Sequence, residues 1–232
     1  MAFGNLNLKG TELTVRKMEV AETPKLRKLG ETYSEHAKLV FIFDISGSMS
    51  SGVGKYVEGE KLPSRMELTK SVAKAQIEAR FAKYPGSHVA VIQFGDGHDV
   101  LFDDGKPEEL WPKLEEMDCH GRRSSSTDIM GAIRGAMTVC RKSPSPVGVH
   151  HFIMVGDGGD GGTRVIDSWI PALKASGVVL DYIHIGESHY ANEDLQRACL
   201  ALGGEFVAVD SAEAFQERFL TAMNRLLLPP GA

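Results

Sequence analysis

Oxygen donors recur at three places in this 232-residue chain where an apolar run gives way to small polar residues. Asp44-Ile45-Ser46-Gly47-Ser48 follows Leu39–Phe43, Thr127-Asp128 precedes an apolar helical stretch, and Gly156-Asp157-Gly158-Gly159-Asp160 follows His150–Val155. Oxygen-only donors suit a hard divalent cation, and Mg²⁺ asks for a near-octahedral shell while keeping several of its waters. Hydroxyl groups are neutral, weak ligands, so a cation held mainly by them keeps most of its charge and still attracts a carboxylate. Alternate residues in a loop turned by Gly47 can direct Asp44, Ser46 and Ser48 at one point. Each fragment alone has a plainer role: Asp and Ser after a strand satisfy loop amides, and Thr before a helix caps it. Their joint presence favours the metal.

The elements that must position these groups alternate in type. The continuously apolar runs at about 38–43 and 150–155 read as central strands of a parallel sheet covered on both faces, with ligands gathering beyond their carboxyl ends. Runs at 88–94 and 98–102 flank Gly95-Asp96-Gly97 and predict an antiparallel hairpin. Further strands are expected at 178–185 and 205–209. Helices are expected at about 64–84, 108–117, from 129 through Cys140, 164–175, 192–202 and 211–227. The alternation predicts a doubly wound, mostly parallel six-stranded α/β sheet with one antiparallel edge strand and helices on both faces. Residues 1–36 form a separate compositional unit, with weak alternation at Leu6, Leu8, Leu13, Val15, Met18 and Val20. They predict a hairpin around Lys9-Gly10, or an extended arm that adds to the sheet edge or packs beneath it. The main domain is expected over 37–228, with a loose tail at 229–232.

Composition excludes several classes. A hydrophobic share of 42% and a charged share of 25% match an ordinary globular protein and argue against disorder. Acids outnumber bases, 31 to 26, without a Lys/Arg block, so the electrostatic footprint of nucleic-acid binding is missing. No apolar run approaches the roughly 20 residues of a spanning helix, and the start lacks the layout of a signal peptide. Cys119, Cys140 and Cys199 are far apart and lack metal-type spacing, which predicts free thiols in a reducing compartment. A cytoplasmic location without membrane association is therefore expected.

Asp44-Ile45-Ser46-Gly47-Ser48 resembles the D-x-S-x-S motif of von Willebrand factor type A domains, and Thr127 and Asp157 match that family's downstream threonine and aspartate. The resemblance covers about Lys38 to Leu227, hairpin included. It implies a Rossmann-like fold, a metal-ion-dependent adhesion site and a non-enzymatic role. Ser46, Ser48 and Thr127 would coordinate Mg²⁺ or Mn²⁺, Asp44 and Asp157 would act directly or through water, and an Asp or Glu of a partner protein would complete the shell. Intracellular bacterial members often work beside AAA+ ATPases of the MoxR type, which makes such an ATPase the expected partner class. Two departures stand out: Gly156 occupies a position where the family commonly has threonine or serine, and the Ser50–Pro63 loop is unusually long.

An enzymatic rival is a Mg²⁺-dependent phosphatase of the haloacid dehalogenase type, since Gly156-Asp157-Gly158-Gly159-Asp160 resembles its metal element. That chemistry needs an acid two residues after the nucleophile, and Ser46 stands there. A phosphate-binding P-loop ending in Gly54-Lys55 fails because Met49 and Tyr56 occupy essential positions. Serine hydrolysis lacks its G-x-S-x-G elbow. His150 and His151 would point to opposite faces of a strand, which predicts hydrogen-bonded rather than ligating roles. Gly158–Gly162 could cradle an anion, though tight turns around the metal loop are the favoured reading. A metal-free scaffold is the remaining alternative.

Overall fold

Every residue of Lys38–Asp44 is buried, as a strand with apolar side chains on both faces requires. In the computed structural model, which describes residues 24–54, 62–121, 124–158, 161–186 and 192–228, this strand is β1. It lies at the centre of a sheet with β2 (Val89–Gly95), β3 (Gly97–Asp103), β4 (His150–Gly156), β5 (Val178–Ile185) and β6 (Phe206–Val209). The spatial order is β3-β2-β1-β4-β5-β6. Only β3 runs antiparallel, paired with β2 through the tight turn at Gly97, whose φ of 107° suits glycine. The chain leaves β1 toward β2 on one side and later returns to β4 on the other. The strand order therefore reverses beside β1, where open α/β sheets hold their ligands.

Among the described residues, seven helices cover the sheet: α1 (Pro24–His36), α2 (Arg65–Lys83), α3 (Pro107–Glu115), α4 (Ile129–Lys142), α5 (Ile166–Ala175), α6 (Glu193–Ala201) and α7 (Ala212–Met223). Side chains alternate along β1 and thereby feed two cores. Leu39, Phe41 and Phe43 pack with α2, α3 and α7, where Phe41 stacks on Phe219 at a centroid separation of 5.8 Å. Val40 and Ile42 pack with Ile129, Ile133 and Ala136 of α4 and with residues of α5 and α6. Polar side chains set the helix starts. Ser64 and Glu67 form a reciprocal capping box on α2, Asp128 caps α4, and Asn192 and Ser211 cap α6 and α7.

The N-terminal segment differs from an extended arm where it is described. Residues 24–36 form helix α1, seated under the amino ends of β1 and β4; the expected hairpin at Lys9-Gly10 and the alternation from Leu6 to Val20 lie outside the described residues. Ser34 Oγ donates to Arg225 O and accepts from Leu227 N, while Arg80 Nη2 donates to the carbonyls of Ser34 and Glu35 at 2.7 and 2.8 Å. A small apolar cluster of Ala37, Val149 and Leu227 seals this contact. It also explains why α7 stops at Met223: residues 225–227 turn away from the helix axis to meet α1. Lys38, fully buried at the foot of β1, is neutralised by Asp103 and Asp104.

Candidate metal centre

Asp44 is the last residue of β1 and is fully buried. Its Oδ1 accepts the Ser46 amide at 2.7 Å, which bends the chain into a short 3-10 turn over Gly47–Ser50. The turn brings Ser46 Oγ and Ser48 Oγ to 3.0 Å from each other. Two hydroxyls of the predicted donor set thus sit side by side, in the turn that the Asp44 carboxyl fastens.

Thr127 lies in the neighbouring loop, which is tied down on two sides. The Gly47 amide donates to Ser124 O at 2.8 Å, fastening residues 124–127 to the Asp44–Ser48 turn. The Asp128 amide donates to Gly95 O at 2.8 Å, and the hydroxyls of Ser125 and Ser126 both bond Asp96 in the β2–β3 turn. Those hydroxyls also hold the Asp96 carboxyl below its ordinary range. Asp128, rather than Thr127, caps α4 by accepting the Gly131 amide at 2.7 Å. Thr127 is therefore not needed as the cap.

Asp157 follows β4, the other neighbour of β1, and its side chain is largely buried. Arg65, the first residue of α2, donates through Nη1 to Asp157 Oδ2 at 2.6 Å and to Ser48 O at 3.3 Å. Sequence reasoning missed Arg65. Its only local mark is that it follows the cap Ser64, and nothing in that spacing points across the sheet to Asp157. Asp160, also named from sequence, lies outside the described residues, as does much of the Ser50–Pro63 loop.

The electrostatics of this cluster fit a cation. Burial pushes the Asp44 carboxyl up to about 7, opposed by the Ser46 hydrogen bonds and reinforced by the charge of Asp157. Asp44 Oδ2 is buried without a hydrogen-bond partner among the described residues. Two carboxylates so placed repel each other and lose hydration, a cost that a bound cation offsets. The donor set is all oxygen and mostly neutral, which suits Mg²⁺ or Mn²⁺ rather than a thiolate-seeking metal.

One other cluster of potential ligands, Asp118, Cys119 and His120, occurs among the described residues. Burial raises the Cys119 thiol and the side chain belongs to the α2/α3 core, so it is a poor source of thiolate. His150 and His151 do point apart. His150 bonds the Ser145 amide and the Ser176 carbonyl, whereas His151 Nε2 meets Asp181 at 2.7 Å. Cys119, Cys140 and Cys199 are all free and buried.

Comparison with known proteins bears on this arrangement. A family model described as the von Willebrand factor type A domain matches residues 39–158, just over half of the chain. No curated protein sequence matches. Among solved structures, the conserved hypothetical protein BatB from Bacteroides thetaiotaomicron superposes with a TM-score of 0.62 at 18% identity, covering 82% of this chain and 98% of that one. The SpRpn10 VWA domain gives 0.60 at 15% identity, covering 75% and 87%. Proximal thread matrix protein 1 from the mussel byssus, with a zinc-occupied MIDAS motif, gives 0.58 at 18% identity, covering 81% of this chain and 45% of that one. Identities this low speak to the fold.

Proposed function

The chain belongs to the von Willebrand factor type A family, a family of protein-interaction modules, and from that premise we propose that it binds Mg²⁺ or Mn²⁺ and uses the ion to recognise an acidic residue of a partner protein. The observation that carries this reading is the buried, unpartnered Asp44 Oδ2 set between the Ser46–Ser48 turn and Asp157. Ser46, Ser48 and Thr127 would hold the ion through hydroxyl oxygens, and Asp44 and Asp157 would hold it directly or through water. When bound, the ion supplies an under-neutralised positive charge with a coordination position left for a carboxylate from outside.

The chain's own residues prepare that encounter. The Ser46 amide fixes the Asp44 carboxyl, and the Gly47–Ser124 hydrogen bond holds the loop bearing Thr127 beside it. Arg65 adds positive charge at the rim and restrains Asp157. A cavity of about 330 Å³ next to Arg65, lined by Gly52, Val53, Ile185, Gly186 and Asp210, offers room for a partner's neighbouring side chain. Chemistry of the phosphatase type lacks support, because Ser46 bonds Ser48 where that mechanism needs an acid.

An AAA+ ATPase of the MoxR type is the partner class this reading favours, in a cytoplasmic setting that suits three free cysteines. Among the described residues, no helix is long and apolar enough to cross a membrane. Calorimetric titration of Mg²⁺ and Mn²⁺ into wild type and Asp44→Ala tests the site, with binding expected for wild type alone. Equal binding by both proteins would overturn the metal reading. Capture of a partner with and without EDTA tests the interaction: capture lost on chelation is expected, and capture indifferent to EDTA would favour a metal-free scaffold.

A further inference from the structure

The hairpin turn Gly95-Asp96-Gly97 contributes no ligand to the metal centre, yet it holds one of the loops that builds it. Gly97, at φ 107°, supplies the left-handed backbone of the turn, and Asp96 does not adopt that conformation. The turn alone therefore does not call for an acid at residue 96. Its carboxylate is engaged elsewhere: Oδ2 accepts from Ser125 Oγ and Oδ1 from Ser126 Oγ, one oxygen for each hydroxyl.

Four hydroxyl residues in a row, Ser124 to Thr127, divide the work of that loop. Ser124 Oγ donates to Gly121 O at 2.6 Å, and Ser124 O accepts the Gly47 amide at 2.8 Å. Ser125 and Ser126 are clamped on Asp96, and on the far side of Thr127 the Asp128 amide donates to Gly95 O at 2.8 Å. Thr127 is thus flanked by two residues fastened to the β2–β3 turn, one through its side chain and one through its backbone. Among the described residues, no hydrogen bond engages the Thr127 hydroxyl, which leaves it available to an ion.

We propose that Asp96 is a positioning residue of the metal site: its carboxylate clamps Ser125 and Ser126 and thereby sets where Thr127 presents its hydroxyl. The inference rests on the metal reading above. The Asp128–Gly95 bond by itself would hold the segment at one point and let Thr127 swing about it. A second attachment on the other side of Thr127 removes that freedom. A carboxylate offers two accepting oxygens and no donor, so it receives both hydroxyls at once, and its charge strengthens each bond. Those hydroxyls in turn hold the Asp96 carboxyl below its ordinary range, which keeps it ionised and accepting at neutral pH. Outer partners of this kind orient a ligand, and losing one weakens metal binding by about 10- to 100-fold.

The pair Ser125→Ala/Ser126→Ala removes the clamp while keeping the Asp96 charge and every predicted ligand. Both serines are exposed, so the fold should be retained by circular dichroism. Calorimetry with Mn²⁺ alone is expected to show about tenfold weaker binding than wild type. Asp96→Ala should weaken binding at least as much, since it also removes a negative charge. In metal-free protein, the methyl signal of Thr127 should move in both variants. Wild-type Mn²⁺ affinity in the serine pair would overturn the proposal, because the charge of Asp96 would then be its whole contribution. Wild-type affinity in Asp96→Ala would overturn it too. Should wild type take up no Mn²⁺, the metal reading falls and the Thr127 signal alone decides whether Asp96 sets that side chain: movement supports it, and an unmoved signal overturns it.

Discussion

Arg65 Nη1 lies 2.6 Å from Asp157 Oδ2, so one carboxylate of the metal centre already carries a positive partner supplied by the first residue of α2. The same nitrogen donates to Ser48 O, which places the guanidinium between two segments of the site. A bound cation competes with this charge for Asp157 and is repelled by it. Charges a few ångströms apart near a protein surface interact by several kcal/mol before screening. Arg65→Met, which keeps the stem and removes the charge, is expected to tighten Mg²⁺ binding about tenfold by calorimetry. Unchanged or weaker binding would mean that Arg65 supports the site rather than competing for it.

A second charged group governs stability rather than binding. Asp181 is buried on β5 and meets His151, Arg225 and the Glu205 amide. Burial alone would raise its pKa, but the hydrogen bonds and charges of His151 and Arg225 outweigh it and bring the carboxyl below its ordinary value of 3.8. A depressed carboxyl stabilises the fold above its unfolded pKa, and that stability disappears as pH falls through the folded value. Asp181→Asn is therefore expected to cost about 3 kcal/mol at neutral pH, with the gap to wild type closing below about pH 4. Urea denaturation across pH 3 to 7 checks this, and a gap independent of pH would count against it.

The contact beneath the sheet gives a third expectation. Removing residues 1–36 leaves Arg80, a nearly buried guanidinium whose pKa burial already lowers, without the two carbonyls it donates to. It also uncovers Leu227 and Val149. Hydrogen bonds to charged groups contribute about 1.5–3 kcal/mol each, so the truncated chain should lose roughly 3 kcal/mol by denaturant midpoint. A midpoint equal to wild type would show that α1 adds nothing to the fold.

Much of the architecture was legible because it rests on local pattern. The continuous apolar runs of β1 and β4 and the turn at Gly97 each act within a few residues. The Asp44–Ser48 turn was legible for the same reason. Helix α1 was not, because its polar sequence acquires a buried face from distant residues such as Val149, Leu226 and Leu227, the last two nearly two hundred residues away. Arg65 was hidden likewise. It reaches Asp157 from the first turn of α2, so its role depends on where that helix is set against the sheet, which no local spacing encodes.

The seat of α1 on residues 225–227 has a mechanical meaning. Both described ends of the chain are clasped at the foot of β1, while Asp44 crowns the same strand at its head. Tension applied through the two ends would be borne first by the Ser34 and Arg80 clasp. The strand that carries the recognition loop stands behind that clasp, as a blade does behind its handle.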